Sequence, residues 1–190
     1  MTEVKIQKTS NILIGLGILF LITAGFFYWR SRGVGKIMPG EFEEIIVQED
    51  TAVRKNGEQI KSLTEEEIAA IKQETDGVLS LGGEAAPLED LESVGIKAEA
   101  KRAFSDGKFY YRLKGTGFAL PEKGYYFEGW FKKDDDFLSI GRLEINTLGG
   151  AELYYTASED RSDYNQILIT LEPEDGNPAP AKIVLEGRFK

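Results

Sequence analysis

From Ile12 to Trp29 the chain carries eighteen residues without a charge, and no charged residue stands between Lys8 and Arg30. A helix rises roughly 1.5 Å per residue, so a stretch of about 20 residues crosses a hydrocarbon core of about 30 Å. The run predicts a single membrane-spanning helix over residues 12–32. Tyr28 and Trp29, followed by Arg30 and Arg32, supply the aromatic and cationic groups that suit a membrane interface. The competing reading is a cleaved secretory signal, which shares the basic start and the apolar centre. Its one cleavage position, near Ala24 and Gly25, has Ile22 where a small residue belongs, and the apolar run continues through Phe26, Phe27 and Tyr28. A retained anchor therefore fits better. Gly15, Gly17 and Gly25 permit close approach of another helix, but glycine is common in spanning helices and carries no weight alone.

Charge says little about orientation. Lys5, Lys8 and the amino terminus flank one end of the run, and Arg30, Arg32 and Lys36 flank the other. The positive-inside rule nearly balances and leans toward a cytoplasmic C-terminal part. Beyond residue 40 the chain keeps 18 of its 23 basic and 31 of its 32 acidic residues, a formal charge of −13. Phosphate backbones and anionic lipid repel such a domain, so nucleic acid is not an expected partner.

The chain has no cysteine and no histidine. This removes disulfides, thiol nucleophiles, histidine-based catalytic triads and most zinc, copper and haem sites. No cofactor and no catalytic or metal-ligating residue is expected.

Residues 1–11 read as a short solvated tail, with a docking peptide as the alternative, and Gly33 to Gly40 as a juxtamembrane linker. Residues 41–76 read as a small αβ appendage. Glu44 to Gln48 and Thr51 to Lys55 are β-prone, and Asn56-Gly57 is a tight-turn signal into Glu58 to Lys61. Thr64 with Glu67 forms a capping box, Leu63 with Ile68 the matching staple, and Ile68 with Ile71 a narrow apolar stripe. Glu65, Glu66 and Glu67 complement the positive end of the helix dipole, with a metal site as the sharper alternative. Residues 77–93, rich in glycine and small residues, read as a linker.

From residue 94 to residue 190 the pattern is β. Lys97 to Phe104 and Lys108 to Leu113 flank the turn Ser105-Asp106-Gly107, with Phe109, Tyr111 and Leu113 on one face. Tyr125 to Phe131, Phe137 to Ile145, Glu152 to Thr156, Gln166 to Leu171 and Ile183 to Phe189 complete about seven strands separated by turn signals. The fold class expected is mainly β, an antiparallel β-sandwich or barrel following the membrane helix and the appendage.

The last strands carry a resemblance. Thr170-Leu171-Glu172-Pro173, the turn around Gly176, Pro178 and the run Ile183 to Gly187 resemble the ending of the anti-sigma-K factor C-terminal domain. Gly124 to Trp130 followed by Gly141 is similar to that family's glycine, aromatic, tryptophan and returning glycine, with Phe127 where a tyrosine is usual. The resemblance covers residues 97–189. It implies an extracytoplasmic β-sandwich sensor or binding module on a single membrane helix, placed in the cell envelope with an envelope protein as partner. It does not carry over sigma-factor binding, since family members bind with a cytoplasmic helical domain ahead of the membrane helix and only residues 1–11 precede it here.

The motif residues Trp130, Gly141, Thr170, Leu171, Glu172, Pro173, Gly176, Pro178 and Gly187 are read as structural: prolines ending strands, Gly176 at positive φ, Trp130 in the core. Glu172 is least explained by packing, and capping of backbone N–H groups in the following turn accounts for it. Two acidic stretches, Asp134-Asp135-Asp136 and Glu159-Asp160 with Asp163, offer oxygen ligands for Ca²⁺ but lack the spacing of a calcium loop. Glu128, Glu144 and Glu172 are the carboxylates from which a glycoside-cleaving pair would be drawn. A binding or sensor module is the first reading; an anchored carbohydrate-active enzyme and a structural subunit of a membrane assembly are the alternatives.

Overall fold

The structure, a computed structural model, describes residues 43–48, 51–56 and 59–190. The expected tail, membrane helix and juxtamembrane linker lie outside the described residues. Among the described residues no helix is long and apolar enough to cross a membrane.

Among the described residues twelve strands and one helix follow in the order β1 (Glu43–Gln48), β2 (Thr51–Asn56), β3 (Gln59–Ser62), α1 (Glu65–Leu81), β4 (Glu84–Asp90), β5 (Lys97–Ser105), β6 (Lys108–Thr116), β7 (Tyr125–Lys133), β8 (Asp136–Arg142), β9 (Glu144–Ile145), β10 (Ala151–Ala157), β11 (Gln166–Pro173) and β12 (Lys182–Arg188). All pairings are antiparallel. The protein is mainly β, as its alternation and turn signals predict.

The sheet runs β3-β2-β1-β10-β6-β5-β4-β12-β11-β7-β8, and β9 pairs β10. Because β8 leads through Leu143 directly into β9, the circuit from β10 through β6, β5, β4, β12, β11, β7 and β8 returns to β10. The sheet is thereby nearly closed, barrel-like or sandwich-like. On its edge away from β6, β10 is shared: Ala151 and Glu152 pair with β9, while Tyr154 to Ala157 pair with β1.

Turn chemistry sets the hairpins. Asp106 and Gly107 take φ of 52° and 76° between the paired Ser105 and Lys108, the two positive φ values of a twist-matched two-residue turn. Asp134, at φ 52°, opens the β7–β8 turn between Lys133 and Asp136. Asn56 pairs with Gln59, so β2 and β3 form the hairpin that Asn56-Gly57 signals.

Alternation then builds two cores. Phe109, Tyr111 and Leu113 of β6, Phe127 and Phe131 of β7, and Ile167 and Ile169 of β11 point into the closed sheet with Tyr155 and Leu185. Edge-to-face rings organise its centre: Phe131 meets Tyr111 at 4.8 Å, Tyr155 at 5.6 Å and Phe109 at 5.8 Å between centroids. The second core lies outside the sheet, where Ile68 and Ile71 of α1 meet Ile45, Val47, Leu63 and Tyr154. In β1, Ile46 faces the first core while Ile45 and Val47 face the second.

Two boundaries differ from the sequence reading. Residues 77–93 are not a linker: α1 continues through Gly77 to Leu81, and β4 follows. Leu79 is buried and extends the stripe of Ile68, Ile71 and Thr75, packing that offsets the roughly 1 kcal/mol helix cost of glycine. In β4, Ala86 and Leu88 turn inward, and Pro87 is tolerated because the β12 ladder covers only Leu88 to Asp90. Nor is the segment before α1 a separate appendage, since Phe42 to Lys190 form one compact unit. The unpaired half of the β10 edge takes up β1, which joins the small strands to the main sheet.

Candidate functional site

The motif residues fall on four neighbouring strands, β8, β7, β11 and β12, and the loop between the last two. Thr170 is fully buried; its Oγ1 accepts the Trp130 indole N–H at 2.8 Å and donates to the Glu128 carbonyl at 3.4 Å. Trp130 is buried but stands outside the interior core. Gly129 faces inward against Leu153 and Ile140, so its neighbour Trp130 projects from the opposite side of the sheet. Gly141, at φ 109°, pairs with Gly129 where the β7–β8 register shifts. Gly187 allows β12 to approach β4: a Cβ there would stand 3.0 Å from Leu88.

Glu172 is 2% exposed, and its Oε1 accepts the Ala181 N–H at 2.8 Å. The capping partner thus lies just ahead of β12, across the loop from Pro173. Inside that loop Asp175 accepts from Asn177 N–H, Asn177 accepts from Ala179 N–H, and Gly176 takes φ 74°. Pro173 closes β11 opposite Tyr125, Leu171 packs partly on the interior core, and Pro178 lies in the loop itself. The corner is a set of internally matched hydrogen bonds.

Of the three carboxylates considered for chemistry, the fold brings two together. Glu128 pairs with Thr170 and Glu172 with Tyr126, so the two side chains share one face of adjacent strands. Burial raises the Glu128 carboxyl above its ordinary value; the Glu172 charge adds to this, while the Ser139 hydroxyl and Arg142 oppose it. Arg142 lies 3.5 Å above the Tyr126 ring and 3.7 Å from Glu174. Glu144 is elsewhere, paired with Lys72 of α1 at 3.3 Å. Neither Glu128 nor Glu172 lines any of three open recesses of about 480, 490 and 590 Å³ formed by described residues.

The acidic stretches are structural in geometry. Lys133 pairs with Asp163 at 2.5 Å, the Tyr164 hydroxyl donates to Asp136, and Arg161 pairs with Glu159 at 3.0 Å. Among the described residues no group of three or more carboxylates is placed to hold a metal ion. Glu67 completes the capping box with Thr64.

Two buried polar ties escaped the sequence reading. Arg102 follows Ala98 and Ala100 on the inward parity of β5; its Nε and Nη2 each lie 2.8 Å from Glu84 and its Nη1 lies 2.7 Å from the Tyr164 carbonyl. Its guanidinium stacks 4.0 Å from the Phe189 ring centroid. The buried Tyr155 hydroxyl donates to Glu44 at 2.7 Å, joining β10 to β1. A cation on an apolar parity was the available signal for Arg102; nothing local marked Glu44.

Exposed apolar side chains segregate to the two ends of the domain. Leu91, Val94, Leu120, Tyr125, Leu148 and Ile183 gather at the end formed by the β4–β5, β6–β7, β9–β10 and β11–β12 loops. There a recess of about 490 Å³ is lined by Leu120, Pro121, Tyr125, Phe127 and Leu171. At the opposite end, where β1 begins beside Ala157, Leu81 and Phe104 are 92% and 45% exposed and flank a groove of about 590 Å³ with Val78 and Ala103.

Comparison with protein-family models, curated proteins and solved structures finds no match.

Proposed function

We propose that this protein is a single-pass, membrane-anchored envelope module whose β-sandwich domain stands outside the cytoplasm and works by presenting a surface to an envelope protein. The apolar run at residues 12–29 supports the anchor, and the anti-sigma-K resemblance at Thr170 to Gly187 supports the outer placement. The observation that carries the binding reading is the groove beside the end of α1. Leu81, 92% exposed, and Phe104, 45% exposed, stay in water beside it, in a domain that buries Phe109 and Phe131 completely. Contiguous exposed apolar surface marks an interaction site, and here Val78, Leu81, Ala103 and Phe104 line one groove.

Photo-crosslinking tests the groove. A photoreactive residue at Leu81 or Phe104 is expected to capture one envelope protein in cells, and Leu81→Asp is expected to abolish capture from position 104. Capture of nothing, or equal capture from Glu89 on the far side of the domain, would contradict the reading.

A second reading has one observation in its favour: Glu128 and Glu172 share a face, and Glu128 holds its proton above the ordinary range. An anchored glycoside-cleaving enzyme uses such a pair. Against it, Glu172 is committed to Ala181 and Glu128 to Ser139.

A further inference from the structure

We infer that the loop end of the domain, opposite the groove, is a lipid contact: Leu91, Leu120 and Leu148 seat in the interfacial layer of a zwitterionic bilayer. This rests on the membrane-anchored reading above and adds a second point of attachment to it.

The apolar groups at this end sit on the tips of separate loops. Leu148, 93% exposed, crowns the β9–β10 turn, Leu120, 63% exposed, the β6–β7 loop, and Leu91 the β4–β5 loop. A protein partner needs a matched hollow for each protruding tip. A fluid acyl phase needs none, and it favours each CH₂ group taken out of water.

Backbone polarity is the usual obstacle to placing a loop in lipid, because an unmatched N–H group is costly away from water. Here the β4–β5 and β9–β10 tips match their own. Asp90 accepts from the N–H groups of Glu92, Gly95 and Ile96 at 3.1, 2.7 and 3.0 Å. Asn146 Oδ1 accepts from Leu148 and Gly150 at 2.9 and 3.0 Å, and the Gly149 N–H donates to the Asn146 carbonyl.

Charge points the same way. The loops at this end hold Glu92, Glu122, Glu174 and Asp175 against Lys123, and the adjoining strand ends add Asp90, Lys97 and Lys182, a net charge of −2 in a domain that is otherwise strongly acidic. Tyr125 and these lysines are the residue types that settle at a headgroup layer. This small net charge is tolerated by zwitterionic headgroups, and the acidic remainder disfavours an anionic surface.

Chain length permits it as well. β1 starts at the far end of β10, a strand of seven residues spanning about 20 Å at roughly 3.4 Å per residue. Residues 33–42 extend at most about 36 Å. The chain between residues 32 and 43 is therefore longer than the strand that separates the two ends of the domain.

The cysteine-free sequence makes a direct test simple. Full-length protein with a single nitroxide-labelled cysteine, as Leu148→Cys, Leu120→Cys or the opposite-end control Phe137→Cys, is reconstituted in phosphatidylcholine vesicles. The ratio of oxygen to nickel-chelate collisions is expected to rise several-fold at 148 and 120 and to keep its aqueous value at 137. Aqueous ratios at 148 and 120 in chains that resist carbonate extraction would overturn the lipid contact and leave the anchor standing. Labels shielded from both reagents would also overturn it, in favour of a protein contact. Release of the chain by carbonate would overturn both readings together.

Discussion

The Trp130 indole N–H donates to Thr170 Oγ1 at 2.8 Å across the β7–β11 pair, with both side chains buried. This bond ties the motif strands together on the side of the sheet away from the interior aromatics, and it has no water to replace it.

Thr170→Val keeps the shape and removes the acceptor, so the indole N–H is left unmatched at a cost of about 1–3 kcal/mol. Trp130→Ala removes the ring as well and is expected to cost about 3–5 kcal/mol. Thermal or urea unfolding in detergent checks both. A Trp130→Ala variant as stable as the parent would show that the ring packs on nothing essential.

Glu172→Ala is expected to lower stability by about 1.5–3 kcal/mol through loss of the charge-assisted bond to Ala181 N–H. Glu172→Gln retains an acceptor and is expected to lose less. An alanine variant with unchanged melting, but with loss of a bound sugar or small ligand, would turn this corner from a clasp into a site.

Much of this was legible in the sequence. The turn signals at Asp106-Gly107 and Asp134, the capping box at Thr64 and the alternation of Phe109, Tyr111 and Leu113 are local features, and local physics decides them. What failed to show was non-local. Gly77 and Pro87 carry breaker character in any window of sequence, and only the packing of Leu79 and the end of the β12 ladder make helix and strand acceptable there. The capture of β1 by the spare half of the β10 edge depends on β9 being two residues long. Within the candidate corner, the placing of Glu128 and Glu172 on one face follows from the β7–β11 register, which no spacing in the chain specifies.

Glu128 gives a pH signature. Its carboxyl is raised, first by burial and then by Glu172, so the folded state holds the proton more tightly than the unfolded chain. Its contribution to stability is full below the ordinary carboxyl range and is lost as pH rises through the raised folded value. Glu128→Gln is therefore expected to raise the Tm near neutral pH and to leave it unchanged in acid below that range. An equal shift at both pH values would place the effect in the Ser139 hydrogen bond instead.

Arg102→Ala is expected to cost about 3 kcal/mol, since it strands Glu84 and the Tyr164 carbonyl and uncovers Phe189. Arg102→Lys is expected to restore only part of this, because an ammonium lacks the planar fork that reaches both partners. Full rescue by lysine would reduce the tie to simple charge.

The placement of the β domain outside the cytoplasm is tested most directly by adding protease to intact spheroplasts and following the C-terminal domain alongside a cytoplasmic marker. The account predicts that the domain is removed while the marker survives. Complete protection of the domain until the cells are lysed would contradict it, and would mean that the slight excess of Arg30, Arg32 and Lys36 had set the orientation after all.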